Sequence, residues 1–103
     1  MTDYSMKLSP APIREWCRIV VVDGVSVLFF EEFLHDEKQH RINAMVRTDG
    51  AVCTIEVTSR KPFTQSEFDD FATDKFARMA IEQAGRFGLT PVANLVYRED
   101  EPC

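Results

Sequence analysis

Two Asp-Gly pairs, each set inside an apolar, β-branched run, constrain this chain more than any other feature. Asp23-Gly24 divides Ile19-Val20-Val21-Val22 from Val25-Ser26-Val27-Leu28-Phe29-Phe30. Asp49-Gly50 divides Ile42-Asn43-Ala44-Met45-Val46 from Val52-Cys53-Thr54-Ile55-Glu56-Val57. A two-residue type I′ turn needs φ > 0 at both central residues, which glycine adopts freely and aspartate tolerates. Each pair therefore predicts a β-hairpin, one over 14–34 and one over 40–58, joined by the polar turn His35-Asp36-Glu37-Lys38-Gln39. Connections this short give a continuous antiparallel meander. Good helix formers between Glu31 and Arg41 offer a rival short helix, but the apolar run Val25 to Phe30, continued by Phe33-Leu34, favours strand.

The period then changes. Lys61-Pro62-Phe63 ends the sheet, and Thr64-Gln65-Ser66-Glu67 has the form of a capping box. Phe68, Phe71, Ala72, Phe76, Met79, Ala80, Ala84 and Phe87 recur at helical spacing and predict one apolar stripe. Acids fall early (Glu67, Asp69, Asp70, Asp74) and Arg78 and Arg86 fall later, as the helix dipole favours. Gly88 is placed to end the helix. The expectation is one unbroken helix of about 23 residues, roughly 34 Å long. Pro91 makes Leu89 to Arg98 a poor central strand, so Val92 to Tyr97 reads as an edge strand or an apolar strap. Residues 1–12 read as a flexible or extended arm, 13–98 as a single domain and 99–103 as an acidic tail. The expected fold class is α+β: a four-stranded antiparallel meander with one long C-terminal helix packed on one face, and room for a short fifth edge strand.

The turns fix which side chains share a face. A two-residue turn at 23–24 sets Val22 opposite Val25, Val20 opposite Val27, Arg18 opposite Phe29 and Trp16 opposite Glu31. One face of the first hairpin then carries Trp16, Val20, Val22, Val25, Val27, Phe29 and Phe33; the other carries Cys17, Ile19, Val21, Leu28, Phe30 and Leu34. Both are apolar. In the second hairpin Val46 meets Cys53, Ala44 meets Ile55 and Ile42 meets Val57, while the reverse face is mostly polar. A helix can cover the dry side of the second hairpin and one side of the first. One apolar face of the first hairpin is left over, close to or beyond the few hundred Å² a monomer usually exposes. The segment 89–97, a second copy of the protein, or another partner or apolar ligand would have to cover it.

Composition narrows the function classes. A chain of 103 residues buries roughly two-thirds of its unfolded surface, enough for a core without metal or disulfides. The formal net charge of -5 argues against a surface built as a whole to hold nucleic acid. Cys17, Cys53 and Cys103 are odd in number and too widely spaced for a C-x-x-C motif, so they match neither a disulfide scaffold nor a zinc knuckle. No apolar signal core opens the chain and no stretch is long enough to span a bilayer, which makes the cytoplasm the expected compartment.

Motifs for chemistry are sparse. Glu32-Phe33-Leu34-His35 has the E-x-x-H spacing of di-iron bundles, but those need ligands from four helices. Cys53 is expected on the apolar face, with His35 and His40 near the far end of its hairpin, so no base stands by a cysteine nucleophile. The glycines (Gly24, Gly50, Gly85, Gly88) form no phosphate loop. No catalytic residue, metal ligand or cofactor site is expected. The reading is a non-enzymatic protein that works by protein–protein contact, as a homodimer. Its anchors are Trp16, Val20, Val27 and Phe29 or Ile19, Val21, Leu28 and Phe30, according to which face the helix takes. The alternative is a single-stranded nucleic-acid binder using Arg41, Arg47, Arg60 and Lys61. A four-strand meander followed by a long helix is similar in order to some single-strand-binding coactivator-type domains, although the aromatic platform is missing. Apolar small-molecule binding between helix and sheet is a third possibility and requires a cavity.

Overall fold

A computed structural model describes residues 17–93. It contains β1 (Cys17–Val22), β2 (Val25–Leu34), β3 (Gln39–Arg47) and β4 (Val52–Ser59), followed by α1 (Gln65–Phe71) and α2 (Asp74–Arg86). The strands form one antiparallel sheet in the order β1-β2-β3-β4, the expected meander, and the fold class is α+β. Trp16, the arm at 1–12, residues 94–97 of the strap and the tail at 99–103 lie outside the described residues. Within them, no helix is long and apolar enough to cross a membrane.

The registers are those the turns dictate: Val22 pairs with Val25, Val20 with Val27 and Arg18 with Phe29. In the second hairpin Val46 pairs with Cys53, Ala44 with Ile55 and Ile42 with Val57. The two Asp-Gly turns nevertheless differ. Asp23 and Gly24 both have positive φ (50° and 80°), as a type I′ turn requires. Gly50 does not, so the second turn has another geometry. There the Thr48 hydroxyl donates to the Ala51 carbonyl at 2.7 Å and accepts from the Ala51 N–H at 3.2 Å, while the Asp49 N–H is drawn to the Thr90 carbonyl at 3.2 Å. The register survives because the number of residues between Arg47 and Val52 is the same for either geometry. Residues 35–38 form a turn, with Lys38 at φ 53°, and 31–34 are strand, so the rival helix is not formed.

The single long helix is a correction. The chain breaks at Ala72-Thr73 into a 7-residue α1 and a 13-residue α2. Thr73 is extended (φ -132°, ψ 167°) and serves as the N-cap of α2, with Asp74 in its first turn. A β-branched hydroxyl residue followed by an acid suits a helix start better than a helix interior. The break resets the helical phase. Phe68 and Ala72 are buried in the first piece, and Ala77, Ala80 and Ala84 in the second. In an unbroken helix Ala72 and Ala77 would lie about 140° apart and could not share a face. The same reset turns Met79 and Phe87, two members of the expected stripe, out to solvent. It also lets Phe71 stand edge-on to Phe29 at 5.5 Å and pack with Phe76 at 4.7 Å.

Both ends of the helical region match their sequence signals. Thr64 and Glu67 form the reciprocal capping box, at 3.1 and 2.8 Å. Gly88 (φ 74°) follows the C-cap, with Leu89 N–H donating to the Ala84 carbonyl and Gly88 N–H to that of Gly85, a Schellman motif. Past it, the β2–β3 ladder stops at Val27–Val46, and Pro91 and Ala93 bridge to Thr48 and Val25 beyond that point. Val92 N–H donates to the Arg47 carbonyl. The described part of the strap is thus a plug at one end of the sheet.

Candidate interaction surface

The helices settle which face of the first hairpin is spare. Val22, Val27, Phe29, Ile42, Ala44 and Val46 form the core with Phe68, Ala72, Ala77 and Ala80, and Val20 and Val25 pack against it. Val20, Val27 and Phe29 therefore belong to the monomer's interior. The other set, Ile19, Val21, Leu28 and Phe30, lies on the face opposite the helices. It is not uniformly open. Ile19 is 42% and Val21 61% exposed, Phe30 is half-buried, and Leu28 is only 3% exposed. The accessible part is the β1 margin.

The rest of that outer face is mostly polar, with Met45 and the exposed Val52 as exceptions, and its centre is an ion-pair network. Arg41 donates twice to Glu32 Oε1, from Nε at 3.0 Å and Nη2 at 2.7 Å, and its Nη1 lies 2.8 Å from Glu56 Oε2. Asn43 adds a bond to the same Glu32 oxygen at 2.9 Å. This network spans β2, β3 and β4 and neutralises Arg41 where it stands. The proposed basic group is also divided. Arg47 lies at the Val52 end of the second hairpin, whereas Arg60 and Lys61 lie past its other end, roughly 26 Å away along the strand. The sheet therefore does not bring Arg41, Arg47, Arg60 and Lys61 together as one open cationic surface.

Glu32 and His35 do not act as a pair either. Glu32 is in the outer network, while the His35 ring meets Phe33 edge-on at 4.8 Å. Among the described residues no three His, Cys, Asp or Glu side chains are grouped to hold a metal. Cys53 is buried on the helix side with a free thiol, whereas Cys17, half-buried on the outer face, is disulfide-bonded, which the cysteine count and spacing did not predict. A groove of about 220 Å³ lies between the first turn and α2, lined by Val22, Asp23, Val25, Arg78, Ile81 and Glu82. It is below the usual size of a small-molecule site. An Asp23–Arg78 ion pair at 3.3 Å joins two of its lining residues.

One buried polar site was not anticipated. Strand alternation turns Glu31 to the helix side, where it is 9% exposed. The Phe63 backbone N–H donates to it, and His40 Nδ1 stands 3.8 Å from its Oε2, too far for a hydrogen bond. Oε2 has no hydrogen-bond partner. Burial raises the Glu31 pKa, opposed in part by the Phe63 N–H and by His40. Because its folded pKa lies above the unfolded one, the folded state holds the proton more tightly, and stability falls as pH rises through the raised value. Glu31→Gln is therefore expected to be near neutral at pH 4 and stabilising at pH 8, as read from urea midpoints. A larger gain at pH 4 than at pH 8 would contradict this.

No family model, curated protein or solved structure matches this chain.

Proposed function

We propose that this protein is a non-enzymatic interaction module that works as a homodimer through the outer face of its first hairpin. The observation that carries this reading is the pair Ile19 and Val21, β-branched residues held 42% and 61% exposed on a sheet margin, with Phe30 near them on the same face. Apolar side chains grouped on a fixed surface lose little entropy on association, and burying them drives it. Charged groups near this margin are already matched within the monomer: Arg18 bonds Asp69 at 2.6 Å and lies over the Phe68 ring.

The test is native mass spectrometry and light scattering across a concentration series, under reducing conditions so that cysteine cross-links do not contribute. The wild type is expected to give a dimer mass. Val21→Lys sets a charge on each side of the contact and is expected to weaken the dimer at least 100-fold, with the urea midpoint of the monomer little changed. A wild type that stays monomeric at about 100 μM, well above the micromolar dissociation constants of ordinary weak complexes, overturns the proposal.

A further inference from the structure

The manner of dimerisation follows from the backbone of β1, and this inference rests on the homodimer reading above. In a two-residue hairpin the residues flanking the turn exchange hydrogen bonds, and such pairs recur at every second position. Val22–Val25, Val20–Val27 and Arg18–Phe29 are therefore the bonded pairs of the first hairpin. The intervening residues Ile19 and Val21 direct their N–H and C=O groups away from β2, along the outer side of β1, where no described strand lies. The two residues with the exposed apolar side chains are thus the two whose backbone groups face outward.

Sheet edges in monomers are usually guarded by lysine, proline, a bulge or an inward charge. The described β1 has none of these on its outer row. Its one charged residue, Arg18, points to the helix side and is bound by Asp69. The opposite edge strand, β4, is different: its outer row begins with the exposed Val52 but continues with Thr54, Glu56 and Thr58, so it is mostly polar and carries a charge.

We infer that β1 pairs antiparallel with β1 of a second copy about a two-fold axis, joining two four-stranded sheets into one of eight strands. Directly opposed residues must share a face, so the numbers of each pair must sum to an even value. The hydrogen-bonding residues must be those that face outward. The register that sets Ile19 against the partner subunit's Val21, and Val20 against the partner subunit's Val20, meets both conditions and puts the exposed side chains in cross-strand contact. Arg18 then faces the partner subunit's Val22, so no like charges oppose. The two-fold consumes both β1 edges and closes the assembly at two copies.

Val21→Pro tests the pairing. Proline removes an N–H that the β1–β2 ladder does not use and is tolerated on an edge strand, whereas Val20→Pro removes one that the ladder needs. Val21→Pro is expected to keep the wild-type circular dichroism and lose dimerisation at least 100-fold in native mass spectrometry, while Val20→Pro loses the fold. In the wild-type dimer, the Ile19 and Val21 amides are expected to be protected from hydrogen exchange and to become fast on dilution to monomer. Should Val21→Pro fail to fold, this exchange measurement decides alone. Fast exchange of both amides in a dimer that Val21→Lys still dissociates overturns the edge pairing and leaves a face-to-face dimer. A monomeric wild type overturns both.

Discussion

Phe29→Ala is expected to cost about 3–5 kcal/mol of unfolding free energy, the usual range for truncating a fully buried phenylalanine. Phe29 has no exposed surface, sits mid-sheet opposite Arg18 and Ala44, and meets the Phe71 ring edge-on. Its removal takes away apolar contact on the sheet side and the ring partner that α1 delivers from above. Neighbours in strands cannot close the gap, because their positions are fixed by the ladder. Against a total of about 5–15 kcal/mol for a domain, the loss is a large share. A urea titration gives the result directly: the midpoint should fall with the slope unchanged. A loss below about 1 kcal/mol would remove Phe29 from the core, since truncations of buried phenylalanine rarely cost so little.

Ala80→Asp should be at least as damaging, and its cost should depend on pH. Ala77, Ala80 and Ala84 are fully buried and let α2 lie close on the sheet, against β1, β3 and β4. A carboxylate at 80 would be desolvated with no designed partner. Full burial raises a carboxyl pKa by up to about 3–5 units, which corresponds to roughly 4–7 kcal/mol at a pH above the raised value. The folded pKa is raised above the unfolded one, so stability falls as pH increases from the ordinary aspartate range through the raised value. Denaturation at pH 5 and pH 8 should show the larger loss at pH 8. An equal loss at both would mean that the helix lifts and admits water, so that the defect is one of volume alone.

The helical region shows how far a pattern in sequence reaches. Phe68, Phe71, Phe76, Met79 and Phe87 were spaced well for a single stripe, and the spacing alone concealed the break. The signal was present as Thr73-Asp74, a helix-start pair in the middle of a helix pattern. Its weight depended on whether Phe71 and Phe76 had something to turn toward, and the ring of Phe29 supplies that only in three dimensions. Glu31 is a similar case. Strand alternation places it on the same side as Phe29, but its burial and its bond from the Phe63 N–H arise only in the packed structure. The basic group was less legible for a different reason: Arg41 is near Arg47 in sequence, yet its guanidinium is ion-paired to Glu32 and Glu56 on the two neighbouring strands.

What the sequence determined by itself was local. The Asp23-Gly24 turn, the capping box at Thr64–Glu67 and the glycine stop at Gly88 are set by backbone sterics within a few residues, whereas the Asp49-Gly50 turn keeps its register but takes a different geometry, with Asp49 bonded to distant Thr90. From the turns alone came the strand registers, and from the registers the two apolar faces of the first hairpin. Only the tertiary structure decided which face the helices would take, since both were apolar enough to accept them. Packing made that choice: the broken helix brings small alanines into one core with Val27, Phe29 and Ala44, and leaves Ile19 and Val21 on the side where no described helix lies.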